Sequence, residues 1–205
     1  MKGEIIMAKK FGGIELGGAI GGYEIVNTPA TKLPQDAASA MGAANSAPLL
    51  GATYNPIWYV GKQLVNGTNY LFIAEDIRTT KNKDKSIVGL VVNVPPGEHA
   101  MQGEGAKVVR IIESEELSPE VQAAFADAEK HLIGVSYKPV LYIGSQVVRG
   151  VNHYIVCEAT GIYPGAEPYA AVMCLNIFEG KTSLVGIAPI SPGEKEMLCG
   201  YAFTW

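Results

Sequence analysis

Three histidines and three cysteines are the residues best suited to nucleophilic or metal chemistry in this 205-residue chain. His153 and Cys157 are the one pair close enough in sequence to suggest a thiolate and its base. They lie four residues apart in the apolar run Tyr154-Ile155-Val156-Cys157, which reads as a β-strand. On a strand they share a face but stand ~13 Å apart, at ~3.3 Å per residue. A nucleophile and its base must touch, so this spacing excludes a catalytic pair. His131 sits near the end of a predicted helix, where it complements the helix dipole, and His99 is a lone loop residue. No two-His or Cys-Cys spacing suggests zinc, and no metal or cofactor is expected. Glu75 and Glu158 end predicted strands and are read as solvated or cross-strand groups. With no triad, paired carboxylates or metal set, the chain is not read as an enzyme.

The informative residues do not carry acid–base chemistry. Gln63-Leu64-Val65-Asn66-Gly67 is followed by Thr68-Asn69-Tyr70 and an apolar run closing on Glu75. Gln146-Val147-Val148-Arg149-Gly150 is followed by Val151-Asn152-His153-Tyr154 and a run closing on Glu158. Each stretch predicts a β-hairpin, with Gly67 and Gly150 supplying the backbone freedom of the reversal.

These two stretches resemble the first inhibitory hairpin of the cystatin family, inhibitors of papain-type cysteine peptidases. The second, with Tyr154 and Glu158, is most similar to the plant cystatins. The resemblance implies a steric mechanism: an apolar wedge enters the peptidase cleft and presents no cleavable bond. It implies peptidase-binding loops at Gln63, Leu64, Val65, Asn66 and Gly67, and at Gln146, Val147, Val148, Arg149 and Gly150. It also implies an N-terminal trunk at Gly21 and Gly22, with Gly105 a weaker counterpart for the second repeat. The Pro-Trp hairpin of the family has no match. Pro95-Pro96-Gly97, Phe178-Glu179-Gly180 and Ser191-Pro192-Gly193 stand near the expected turns, and Trp58 and Trp205 lie elsewhere.

The elements that position these loops are repeated. Gly51, Tyr54, Pro56, Tyr59, Gly61, Gln63, Val65, Gly67, Asn69 and Glu75 recur 83 residues later, from Gly134 to Glu158 (158 − 75), and Asn93 recurs as Asn176. Each repeat is predicted to open with a helix. Pro34 starts the first, rich in Ala and Ser, and Pro48 ends it. Ser118 caps the second, with Pro119 at its first position and Val121, Ala124, Phe125, Ala128 and Leu132 on one face. Strands are predicted at 56–61, 68–77 and 87–94, and at 139–144, 151–160 and 170–178. Val108–Ile112 and Ser183–Ile190 read as further strands, and the sequence leaves open which sheet takes 108–112. The expected fold is α+β, two tandem cystatin-like units with one helix across each antiparallel sheet. The expected division is an arm at 1–22, a first repeat at 23–104 and a second at 105–205.

Composition narrows the partners. Apolar residues make up 48% of the chain, enough for a core, and the formal net charge is −4 without a basic block. This excludes a nucleic-acid footprint, and no apolar run approaches the ~20 residues of a membrane helix. The cystatin resemblance implies a cysteine peptidase as the partner, and a binding or assembly role implies another protein. The start of the chain has no leader-like apolar core, and an odd number of cysteines in apolar surroundings suits free thiols in the cytoplasm. A secreted mature form that has lost its leader is the alternative. The glycine-rich arm carries Ile14-Glu15-Leu16, an alternation expected to dock as a strand on a sheet edge and to favour a homo-oligomer. The other expected mode of action is a non-inhibitory binding or assembly module working through its sheet edges.

Overall fold

The computed structural model describes residues 22–46, 51–79 and 84–190, with the backbone of 9–11 and 14–16. Strand β1 (Lys9–Phe11) pairs with β2 (Ile14–Leu16) in a two-stranded hairpin of its own. The chain continues through β3 (Glu24–Pro29), helix α1 (Gln35–Ser46), β4 (Ala52–Val65), β5 (Gly67–Arg78), β6 (Lys85–Val94) and β7 (Lys107–Ile112). It then forms α2 (Pro119–Glu129), β8 (Val135–Val148), β9 (Gly150–Gly161), β10 (Tyr169–Phe178) and β11 (Lys181–Ile190). One antiparallel sheet runs β3-β4-β5-β6-β7 and the other β11-β10-β9-β8.

The strands follow from apolar runs that bury both faces. In β5, Tyr70, Phe72 and Ala74 point into the core beneath α1, while Leu71 and Ile73 point to the opposite face. In β10, Met173 and Leu175 lie with α2, and Val172 and Cys174 turn away from it. Helix α1 is lined mainly with alanines, so it can lie close on its sheet, whereas α2 buries the larger Val121 and Phe125. Ala37, Ala40, Met41 and Ala44 are the buried positions of α1. Ser118 caps α2 as expected, its hydroxyl accepting from the Val121 N–H at 3.5 Å, with Pro119 at the first helical position.

The second faces of the two sheets meet, and this corrects the expected fold class. The molecule is not two helix-on-sheet units. It is predominantly antiparallel sheet, and its five- and four-stranded sheets share a common core. Ile25, Ile57, Leu71 and Ile73 from one sheet pack in the same cluster as Val140, Ile143, Val156 and Val172 from the other. A sheet whose outer face is already covered by a helix, yet whose inner face is also apolar, must find a second cover. Glu158 ties the layers together: its carboxylate accepts from the Ile87 N–H at 2.7 Å. Lys85 of β6 forms an ion pair at 2.8 Å with Glu167, in the connection between β9 and β10.

The repeat is visible in the strands. β4 and β8 begin 83 residues apart (135 − 52), as do β5 and β9 (150 − 67). By the same offset β7 is the counterpart of β3 (107 − 24). Yet β7 pairs with β6, from Gly89 opposite Ile112 to Asn93 opposite Lys107. It closes the first sheet, and β8 is left as an edge of the second. The 14–16 strand exists, but its hydrogen-bonded partner is β1 rather than either large sheet.

Candidate functional site: two apolar hairpin tips

Both predicted hairpins form. Val65 and Gly67 face each other across Asn66, and Val148 and Gly150 across Arg149. Beneath each tip lies a row of amides in register. Gln63 is opposite Asn69 and Asn69 opposite Asn93, while Gln146 is opposite Asn152 and Asn152 opposite Asn176. Asn93 Nδ2 donates to Asn69 Oδ1 at 2.8 Å, and Asn176 Nδ2 donates to Asn152 Oδ1 at 2.8 Å. Asn69 Nδ2 reaches Gln63 Oε1 at 3.5 Å. In the second hairpin the Tyr154 hydroxyl donates to Gln146 Oε1 at 2.9 Å, and Asn176 also donates to the Arg149 carbonyl at 3.2 Å. The glutamine of each motif thus braces its own hairpin. Cross-strand amide bonds hold the register at the base of each reversal.

The glycines also have an internal reason. Gly67 has φ of 94° and Gly150 of 88°. A Cβ on Gly67 would lie 2.1 Å from the Val94 carbonyl oxygen, and one on Gly150 2.5 Å from that of Ile177. The end of the third strand presses against the reversal, and only glycine leaves room for it.

The tips themselves point into solvent. Leu64 is 86% exposed and Val147 85%, and these two residues occupy the same repeat position. Val65 and Val148 beside them, and Asn66 and Arg149 at the apices, are exposed as well. Each tip lies at the end of its sheet away from the Ile87–Glu158 contact.

Other predicted elements converge on the tips unequally. A Cβ on Gly22 (φ 79°) would lie 3.3 Å from Gln63 Nε2, so the start of β3 passes the base of the first hairpin. Gly21 lies outside the described residues. Gly67 and Gly105 both press on Pro95, the first residue of Pro95-Pro96-Gly97. In the second repeat the Arg149 guanidinium stands over the Phe178 ring, 5.0 Å from its centroid, joining the tip to the β10–β11 turn. Glu179 and Gly180 there have φ of 50° and 71°, a tight reversal with both central residues left-handed. Ser191-Pro192-Gly193, Pro48, Cys199 and Trp205 lie outside the described residues. Trp58 packs at the edge of the inter-sheet core, with its indole N–H donating to Asn27 Oδ1 at 2.9 Å.

The residues first considered for catalysis are dispersed. Cys157 is buried under α2, where desolvation pushes its thiol far above the ordinary range, and burial raises Cys174 to about 11. Neither forms a thiolate near neutrality. His153 instead meets the Tyr142 hydroxyl, 2.9 Å from its Nδ1, and burial holds its pKa below the usual value. Glu75 accepts from Asn55 Nδ2 across the β4–β5 pair at 2.8 Å, the cross-strand role expected. Glu158 reaches the other sheet rather than a neighbouring strand. Glu115 went unread in the sequence: its carboxylate accepts from the Tyr142 N–H on the edge of β8, and its own N–H donates to the Pro139 carbonyl. Among the described residues no three His, Cys, Asp or Glu side chains gather as metal ligands.

No protein-family model matches the chain, and no curated protein sequence is similar to it.

Proposed function

We propose that this protein is a binding protein that inhibits papain-type cysteine peptidases, each hairpin tip acting as an apolar wedge in the active-site cleft. The observation that carries this reading is the matched exposure of Leu64 and Val147 at the two reversals. An apolar side chain held out in water is a ready anchor, and fully burying a leucine or valine contributes roughly 1.5–3 kcal/mol. Leu64 with Val65, or Val147 with Val148, would supply about 3–6 kcal/mol, against the ~8 kcal/mol of a micromolar complex. The remainder would come from backbone groups at the tips and from the adjoining turns, Pro95-Pro96 and Phe178. Amide rows and glycine packing pre-form the tips, so little ordering entropy opposes binding.

The test is titration of papain with the pure protein and with Leu64→Asp, Val147→Asp and the double variant. Inhibition that falls in each single variant and disappears in the double supports the reading. No inhibition by the parent protein at high micromolar concentration removes it.

A second reading rests on the braced glutamines and the internally required glycines. On that view the hairpins persist for stability, and the protein is a non-inhibitory binding or assembly module. Failure to inhibit, with full folding, selects it.

A further inference from the structure

We infer that the upper edge of β8, from Ile143 to Val148, is the seat of the N-terminal hairpin, whose β2 strand lies along the place that the counterpart of β3 leaves open. The repeat supplies the first observation. β3 covers β4, with Glu24 opposite Lys62, Ile25 opposite Gly61 and Pro29 opposite Trp58. The counterpart of β3 is β7, which is committed to the other sheet, its Ile112 buried against Gly89. The place beside β8 that corresponds to β3 is therefore vacated.

The second observation lies in the paired glycines. A Cβ on Gly61 would lie 2.2 Å from the Glu24 carbonyl, so Gly61 is shaped by its neighbouring strand. Gly144 is its counterpart 83 residues on (144 − 61), at the matching bulge of β8, and no described atom comes within 4 Å of its Cβ position. The lower half of this edge is already closed. Pro139 has no N–H to offer, and Glu115 engages both the Pro139 carbonyl and the Tyr142 N–H. What remains open is the stretch that leads to the second tip.

The third observation identifies the occupant. β1 runs beside β3 and β2 beside β8, with Cα atoms within 8 Å. Leu16 and Glu24 are joined by residues 17–23, eight Cα steps and so a tether of at most roughly 29 Å, which favours the chain's own β8 over that of a second copy. The hairpin thus guards an edge that would otherwise be open to another chain. This inference does not depend on peptidase inhibition.

Hydrogen exchange tests it in the whole protein and in a chain that begins at Gly17. Removing the hairpin should accelerate exchange at least tenfold for the edge-facing amides between Ile143 and Val148. Tyr142, held by Glu115, and the amides of β9 and β10 should stay slow and serve as internal controls. Full-length Glu15→Pro, which removes the central N–H of β2, should reproduce the effect with the arm still present. A truncated protein that dimerises by light scattering and regains β8 protection as concentration rises also supports the guard. Unchanged exchange over 143–148 in both variants, each still monomeric, overturns it.

Discussion

Replacing Gly67 by alanine separates two reasons for a glycine, because Gly134 provides the control. Both residues sit in the left-handed region, Gly67 at φ of 94° and Gly134 at 88°. A Cβ at Gly134 meets nothing within 4 Å, whereas at Gly67 it would lie 2.1 Å from the Val94 carbonyl oxygen. Gly134→Ala should therefore lose only the conformational term, about 1–2 kcal/mol. Gly67→Ala should lose that and more, because the end of β6 must shift; forcing atoms into a packed site costs about 1–3 kcal/mol. The expected totals are about 1–2 and 2–5 kcal/mol. For a chain of this size the difference is a further fall of roughly 2–12 °C in Tm, at about 2–4 °C per kcal/mol. Urea unfolding of the two variants at one pH, with Tm by calorimetry, measures it. Equal losses would refute the reasoning: the Val94 carbonyl would not be pressed on the reversal, and the motif glycine would again need an external explanation such as close approach to a partner.

Asn152→Ala should destabilise by roughly 1–3 kcal/mol in urea, since it strips the buried acceptor from Asn176; Asn69→Ala, at the less buried counterpart, should lose less. Glu158→Ala should leave the Ile87 N–H without its acceptor between the sheets and lose a similar 1–3 kcal/mol, with faster exchange of that amide as the specific sign. Burial holds the His153 imidazole below its ordinary 6.5, so the unfolded chain takes up the proton more readily. The stability of the neutral ring is present above pH 6.5 and is lost as pH falls through that value toward the folded pKa. Urea midpoints between pH 7.5 and 5 should fall more steeply in the parent than in His153→Gln, and parallel curves would count against this.

Local signals carried most of the elements. Continuous apolar runs rich in aromatic and β-branched residues located β5, β6, β9 and β10. Ser118 and Pro119 marked the start of α2, and Gln-x-Val-x-Gly marked both reversals. Each depends on residues within a turn or a strand, so sequence alone determines them. The 83-residue offset also exposed the Asn69–Asn93 and Asn152–Asn176 positions, although not their bonds.

Tertiary structure decided which surface meets which. Tyr70-Leu71-Phe72-Ile73-Ala74 shows that both faces of β5 are apolar, a sign of double burial, but it does not name the second cover. Two sheets that each had a helix on one face could satisfy the other only against one another. The destination of β7 was equally hidden. Val108–Ile112 matches β3 by period, yet an antiparallel strand fits any free edge with compatible side chains. The choice went to β6, where Gly89 leaves space for Ile112. Repetition fixed what each segment becomes, and competition among nonlocal edges fixed where it goes, because a strand's pattern encodes its faces and not its neighbour.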